Sequence, residues 1–292
     1  MSKKTILIGP TGFLGPSFLK KKEEIVAIGR SKLPFFLKND FVELKENLNF
    51  TILDKVDFEN VIFLIGSSDH HILNNHPTMA FEKNVLPLKQ FLNYLSISER
   101  KVNKIINFTT MLQYDSNKLK LPCNESQPRN PTINNYVLSK YCSELVTQQY
   151  RNEFSIIDIR ISNVYGPTHL RRPDIIPSLI WKIKDEERLS VWNKKPKRDF
   201  IYVDDAIEAV LKLMKTNFSG PVNLGTGIST SVQEICDILE NLSGEKISDE
   251  KIEVSGHMEF YQDISLLKSL IDWSPKYPIN QGLKKTFNEM MD

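Results

Sequence analysis

Two side chains near the middle of the chain have the types and the spacing of an acid/base pair. The run Tyr136-Val137-Leu138-Ser139-Lys140 sets a phenol four residues before an ammonium. On a helix that spacing puts both on one face. A nearby cation favours phenolate and moves the phenol toward a pKa useful for proton transfer. Solvated helix faces carry the same pattern, so its meaning depends on what surrounds it.

A second group suits phosphate. Gly9-Pro10-Thr11-Gly12-Phe13-Leu14-Gly15 spaces its glycines three apart, after a strand-like run and before a helical one. One glycine serves a tight turn, a second lets backbone approach a pyrophosphate, and a third lets helix and strand pack closely. The helix start offers free N–H groups and partial positive charge, and Pro16 suits its first turn. Gly9, Thr11, Gly12, Phe13, Leu14 and Gly15 are therefore candidate dinucleotide contacts.

These groups need a scaffold, and the apolar pattern supplies one. Short, nearly continuous apolar runs at 5–8, 25–28, 41–44, 61–65, 104–108 and 155–159 read as strands buried on both faces. Helical patterns at 81–95 and 135–150 lie between them. The alternation predicts an α/β fold with a doubly wound parallel sheet of the Rossmann type. Beyond 159 the texture changes: Pro167, Pro173, Pro177, Pro196 and Pro221 punctuate helical stretches at 175–184, 204–214 and 231–242. The expected division is a dinucleotide-binding domain over 1–162, regained around 199–216, and a smaller mixed α/β substrate domain over 163–292.

Composition narrows the partners. The chain has 292 residues and a formal net charge of +2, with lysines spread along it, which gives no basis for nucleic acid or a membrane surface. Cys123, Cys142 and Cys236 are an odd number in no ligand spacing and read as free thiols. Met1-Ser2-Lys3-Lys4 runs directly into the first strand, without the apolar stretch of a signal peptide, so a cytoplasmic location is expected. His70, His71 and His76 fall in one loop, with no carboxylate or cysteine pattern to make a metal site.

In order along the chain, further segments join the first two. Asn107-Phe108-Thr109-Thr110-Met111-Leu112-Gln113-Tyr114 is a strand ending in hydroxyls, with a tyrosine downstream. Arg160-Ile161-Ser162-Asn163-Val164-Tyr165-Gly166-Pro167, Arg198-Asp199-Phe200-Ile201-Tyr202-Val203-Asp204-Asp205 and Asn223-Leu224-Gly225-Thr226-Gly227 follow. Together they resemble the extended short-chain dehydrogenase/reductases, the NAD-dependent epimerase/dehydratase (nucleotide-sugar) family, over nearly the whole chain. The resemblance implies that Tyr136 is the acid/base on a sugar hydroxyl or ketone. It implies that Lys140 lowers the tyrosine's pKa and holds the nicotinamide ribose, and that Thr110 is the third catalytic hydroxyl. Asn163 and Arg198 would meet the substrate diphosphate, for which a guanidinium is well shaped.

Departures from the family pattern sharpen the reading. In the 4,6-dehydratases the hydroxyl matched by Thr110 is followed by Asp-Glu; here Met111 and Leu112 stand there, and neither transfers a proton. Leu112 likewise replaces the glutamate of the sugar-acid decarboxylases and the cysteine of the 3,5-epimerising members. That leaves hydride transfer plus Tyr136. NAD-binding relatives end the second strand with a carboxylate for the ribose 2′-hydroxyl. This chain has Gly29, then Arg30 and Ser31, which favours the 2′-phosphate of NADP over NAD. The expected activity is NADPH-dependent reduction of a nucleotide-activated 4-keto sugar. The alternatives are an NAD-dependent nucleotide-sugar 4-epimerase and a catalytically silent cofactor-sensing module. Phe260 stands where some relatives hold the diphosphate with arginine, so either Arg198 with Arg171 or Arg172 compensates or the nucleotide lies differently. Asp204 and Asp205 are expected to cap their helix and pair with neighbours. Phe81, Val85, Leu88, Phe91, Leu92 and Leu95, with Tyr141, Leu145 and Val146, suggest surplus apolar surface and a homodimer.

Overall fold

Four consecutive apolar or β-branched residues make Thr5–Ile8 (β1) a strand buried on both faces. Ile25–Gly29 (β2), Asn60–Phe63 (β4), Lys104–Thr110 (β5) and Ile156–Ile161 (β6) are likewise almost wholly buried, the last three with polar residues interspersed, and the short Phe41–Glu43 (β3) lies at one edge. The computed structural model describes residues 4–21, 24–34, 37, 39–45, 48–254 and 258–292. Its main sheet has seven strands, in the order Gly220–Leu224, β6, β5, β4, β1, β2, β3. β1 pairs in parallel with β2 and β4, β2 with β3, and β4 with β5. The chain order reverses between β1 and β4, which is the topological switch point of a Rossmann-type sheet. The loops after those two strands, beginning at Gly9 and Leu64, therefore meet at the place where such sheets bind ligands.

The described chain divides into two units. The first comprises Met1–Gln113, Arg129–Arg160 and Val210–Val222 and contains the glycine loop and the Tyr136/Lys140 helix. The second comprises Tyr114–Pro128, Ile161–Ala209 and Asn223–Asp292.

In the first unit, Leu14–Lys21 (α1), His70–Asn75 (α2), Pro77–Asn84 (α3), Leu86–Ile97 (α4) and Asn135–Tyr150 (α5) accompany the strands. The helix expected at 81–95 is two helices. Val85, at φ −116° and ψ −55°, separates them, and Pro87 opens the second. A proline within an unbroken helix would lose a hydrogen bond and clash with the preceding turn; in a first turn it costs nothing.

The apolar surplus on this segment is internal. Leu88, Phe91, Leu92 and Leu95 are buried in one core with Phe50, Phe63 and strand residues. The Phe91 ring stacks on Phe63 at 5.5 Å and meets Phe50 edge-on at 5.2 Å. These side chains are not an interface, which corrects the argument from surplus; Leu86 and Ile97 of α4 and Leu145 of α5 are left exposed.

In the second unit, Asn163–Tyr165 (β7) pairs in parallel with Phe200–Tyr202. Ile175–Lys184 (α6), Val203–Leu213 (α7) and Val232–Ser243 (α8) follow, with α7 running on into the first unit. A capping box opens α8: Ser231 accepts from the Glu234 N–H while the Glu234 carboxylate accepts from the Ser231 N–H. Asp205 does not cap its helix. Its two carboxylate oxygens accept the backbone N–H groups of Lys276 and Tyr277, each at 3.0 Å, and Asp204 pairs with Lys285. Among the described residues no helix is long and apolar enough to cross a membrane.

Candidate active site

The glycine loop has the conformation its sequence requires. Gly9 sits at φ +87° and donates its N–H to the Ile28 carbonyl at 2.9 Å, tying the loop to the end of β2. A side chain on Gly15 would strike the Pro10 carbonyl oxygen at 1.9 Å, whereas one on Gly12 would meet nothing within 4 Å. Gly15 thus serves close packing, and Gly12 faces open space. That space is a cavity of about 430 Å³, lined among others by Gly9, Pro10, Thr11, Gly12, Arg30 and Ser31. Glu82 and Lys83 of the α3 turn also line it. Phe13 and Leu14 are partly buried where the loop enters α1 and are not among the lining residues. A bare-backbone cradle beside a helix start, with a guanidinium at the strand end, fits a dinucleotide.

The second part of the site is built on α5. Asn134 accepts the Val137 N–H and caps the helix, so it starts just before Tyr136. Tyr136, Lys140 and Glu144 then recur every four residues along one face. This face is polar, yet Ser139, Ser143, Glu144 and Thr147 on and beside it are buried. Lys140 donates to the Phe108 carbonyl on β5 at 3.0 Å. One turn on, Glu144 takes Arg160 of β6 in two hydrogen bonds, Nε to Oε2 at 3.1 Å and NH2 to Oε1 at 2.5 Å, along with Arg129 and Gln113. Burial pushes the Glu144 carboxyl up, but the Arg160 and Arg129 guanidiniums pull it below its ordinary value. Charge and hydrogen bonds thereby hold the helix to the sheet.

Loss of hydration brings the Lys140 ammonium down from the ordinary lysine value to about 8. Thr110 lies buried at the end of β5, and its hydroxyl accepts the Leu112 N–H at 3.2 Å. Leu112 packs against an apolar group formed by Leu73, Ala80, Tyr136 and Val137. Leu112 is therefore part of the apolar surround of Tyr136.

Three residues of this site have no warning in the motifs. His70 lays its ring against Tyr136, with centroids 4.0 Å apart. Asn74 Oδ1 accepts the Tyr136 N–H at 3.1 Å, and its carbonyl accepts Asn135 Nδ2 at 2.9 Å. Asn84, buried in α3, accepts the Ser67 N–H through Oδ1 and donates through Nδ2 to the Ser139 hydroxyl at 2.9 Å. Asn74 thus ties α2 to the start of α5, and Asn84 ties the loop after β4 to the next turn of α5. An asparagine amid apolar helix positions, as at Asn84-Val85, is the signal that could have found one of them.

In the second unit the motif residues tie segments together. The buried Asp199 carboxylate accepts Thr226 N–H at 2.8 Å, Thr226 Oγ1 at 2.7 Å and Gly227 N–H at 3.0 Å. Burial raises its pKa against those hydrogen bonds. Tyr114 donates its hydroxyl to Asn223 Oδ1 at 2.7 Å. Asn163 Nδ2 donates to the Asp199 carbonyl at 3.1 Å. Arg198 is partly buried, which lowers its pKa, and its NH1 donates to the Lys197 carbonyl. Phe260 is the register partner of Arg198 and stacks on Tyr114 at 6.2 Å, a packing role with no place for a charge. Arg171 pairs with Asp185 and Arg172 with Asp174 at 2.7 Å, so both guanidiniums already hold local carboxylates.

A family model described as NAD dependent epimerase/dehydratase matches residues 6–225, from β1 through the asparagine turn. The chain belongs to that family. A provisionally named UDP-glucose 4-epimerase of Methanocaldococcus jannaschii is 29% identical, with 98% of this chain and 97% of that protein covered. The dTDP-D-glucose 4,6-dehydratase of Mus musculus is 28% identical, covering 98% and 88%. The solved UDP-glucose 4-epimerase of Thermotoga maritima shares the fold, with a TM-score of 0.86 at 22% identity over 98% of each chain. The family's description carries the dependence on NAD, and the parallel sheet and the shared fold carry the α/β architecture.

Proposed function

We propose that this family member reduces a nucleotide-activated 4-keto sugar with NADPH. The observation that carries the reading is the end of β2. Gly29 presents no carboxylate to a ribose 2′-hydroxyl, and Arg30 lines the dinucleotide cavity beside it. A guanidinium without a competing strand-end carboxylate favours a 2′-phosphate. Gly9, Thr11, Gly12 and Ser31 are assigned to the rest of the cofactor.

When bound, the dinucleotide supplies the hydride. Tyr136 gives its phenolic proton to the sugar oxygen as hydride reaches the carbon. The Thr110 hydroxyl orients that oxygen. Lys140, with its pKa near 8, supports phenolate and exchanges a proton in the neutral range. Met111 and Leu112 offer no second acid or base, which argues against water elimination. Asn163 and Arg198 are assigned to the diphosphate, and the second unit to binding the substrate.

A second reading, an NAD-dependent nucleotide-sugar 4-epimerase, is favoured by the name of the Methanocaldococcus relative. The cofactor separates the two. The reductase reading expects purified protein without bound dinucleotide and a lower Kd for NADPH than for NADH. Protein that releases NAD on denaturation, together with weak NADPH binding, overturns it. A homodimer remains part of the proposal, through exposed Leu86 and Leu145; a monomer mass by light scattering removes it.

A further inference from the structure

We propose that Pro10 determines cofactor selectivity by holding position 29 to glycine. A Cβ on Gly29 would lie 2.8 Å from Cδ and 3.1 Å from Cγ of Pro10, with Phe41 Cε2 at 3.5 Å on another side. The prolyl ring is closed onto its own backbone nitrogen and cannot swing aside as a flexible side chain would. Nor can the strand retreat. The Ile28 carbonyl takes the Gly9 N–H at 2.9 Å, and the Gly29 carbonyl takes the Leu44 N–H at 2.8 Å, so backbone hydrogen bonds fix both neighbours of the gap. Loop movement is restricted as well, because the Pro10 carbonyl lies against Gly15, where a Cβ would come within 1.9 Å. Pro10 is thus wedged between the start of α1 and the end of β2.

The consequence reaches the cofactor. Any carboxylate that reads a ribose 2′-hydroxyl from position 29 must carry a Cβ, and Pro10 occupies that space. The loop that cradles the phosphates therefore also excludes the residue type that selects NAD, and leaves Arg30 as the side chain at the strand end. Reversing the preference requires changing both positions. The inference rests on the NADPH reading for its sign. The steric coupling of Pro10 and Gly29 does not depend on it.

The test is a double-mutant cycle of Gly29→Asp and Pro10→Ala in the full chain, read by calorimetric titration of NADP⁺ and NAD⁺ and by thermal unfolding. Alanine at position 10 removes both clashing ring atoms. Gly29→Asp alone is expected to lower the unfolding temperature and weaken both dinucleotides. Adding Pro10→Ala is expected to recover the unfolding temperature and to move the NAD⁺/NADP⁺ affinity ratio at least about tenfold toward NAD⁺ relative to wild type. If Gly29→Asp alone unfolds at the wild-type temperature and shifts the ratio, Pro10 is no determinant and the inference falls. It also falls if the double variant behaves like Gly29→Asp. Wild-type protein that binds NAD⁺ more tightly refutes the NADPH reading, whereas the cycle still decides the coupling. If Gly29→Asp cannot be purified folded, recovery of folded protein on adding Pro10→Ala supports the inference, and failure to recover it overturns it.

Discussion

The imidazole of His70 lies across the phenol ring of Tyr136, with centroids 4.0 Å apart and planes inclined by 37°. His70 opens α2, which Asn74 ties to Tyr136, and Asn84 holds the loop before it, so the contact belongs to the architecture of the site. Removing the ring loosens the proposed proton donor without touching the dinucleotide cavity. His70→Ala should lower turnover by about fivefold, in line with one aromatic contact of about 1 kcal/mol. The affinity for dinucleotide should be unchanged, and His70→Phe should recover most of the rate. Steady-state kinetics with calorimetry checks this; equal turnover in His70→Ala and wild type contradicts it.

Arg30 lines the cavity, and Gly29 before it at the end of β2 carries no carboxylate. Arg30→Ala should weaken NADPH by about 1.5–3 kcal/mol, the value of one charge-assisted hydrogen bond, and leave NADH nearly unchanged. Titration of both cofactors measures it. An equal loss for both places the 2′-phosphate elsewhere.

Lys140 gives a pH signature. Its folded pKa of about 8 lies below the lysine reference of 10.5, so between those values the folded protein holds fewer protons than the unfolded chain. Stability contributed at this position therefore rises with pH across that window and is lost as pH falls through about 8. Wild type should gain stability relative to Lys140→Met between about pH 7.5 and about pH 10. Denaturant unfolding at the two pH values reads the difference, and a flat or opposite trend contradicts it.

The Glu144–Arg160 pair anchors the same helix from beneath. Arg160 is 2% exposed and Glu144 5%, so removing the Glu144 carboxylate takes two charge-assisted hydrogen bonds from a buried guanidinium. Glu144→Ala should cost about 3–5 kcal/mol. Urea unfolding checks it, and a loss under about 1 kcal/mol would mean that solvent reaches the Arg160 guanidinium.

Much of this was legible in the sequence, and the reasons are physical. Nearly continuous apolar runs identified the strands because a sheet covered on both faces tolerates little else, and the helical pattern at 135–150 is the helix Asn135–Tyr150. The glycine loop announced the cavity because few other residues permit its turn. Phe91 misled because periodicity shows that a side chain is buried but not against what. Pro87 was passed over as a break because the apolar pattern continues through it. His70, Asn74 and Asn84 were invisible as a group because their contacts join a loop to a helix far along the chain. The steric pairing of Pro10 with Gly29 is a property of two backbones meeting, which no local pattern encodes.

The central claim is hydride transfer from NADPH to a nucleotide-activated 4-keto sugar, with Tyr136 as proton donor. The direct measurement is NADPH oxidation by purified protein against freshly generated nucleotide 4-keto sugars, with NADH and the Tyr136→Phe variant in parallel. The account predicts multiple turnovers with NADPH, slower turnover with NADH, and a loss of about 100-fold or more in Tyr136→Phe while that variant still binds NADPH. No oxidation with any such sugar, accompanied by interconversion of nucleotide 4-hydroxy sugars by protein carrying tightly held NAD, would contradict it.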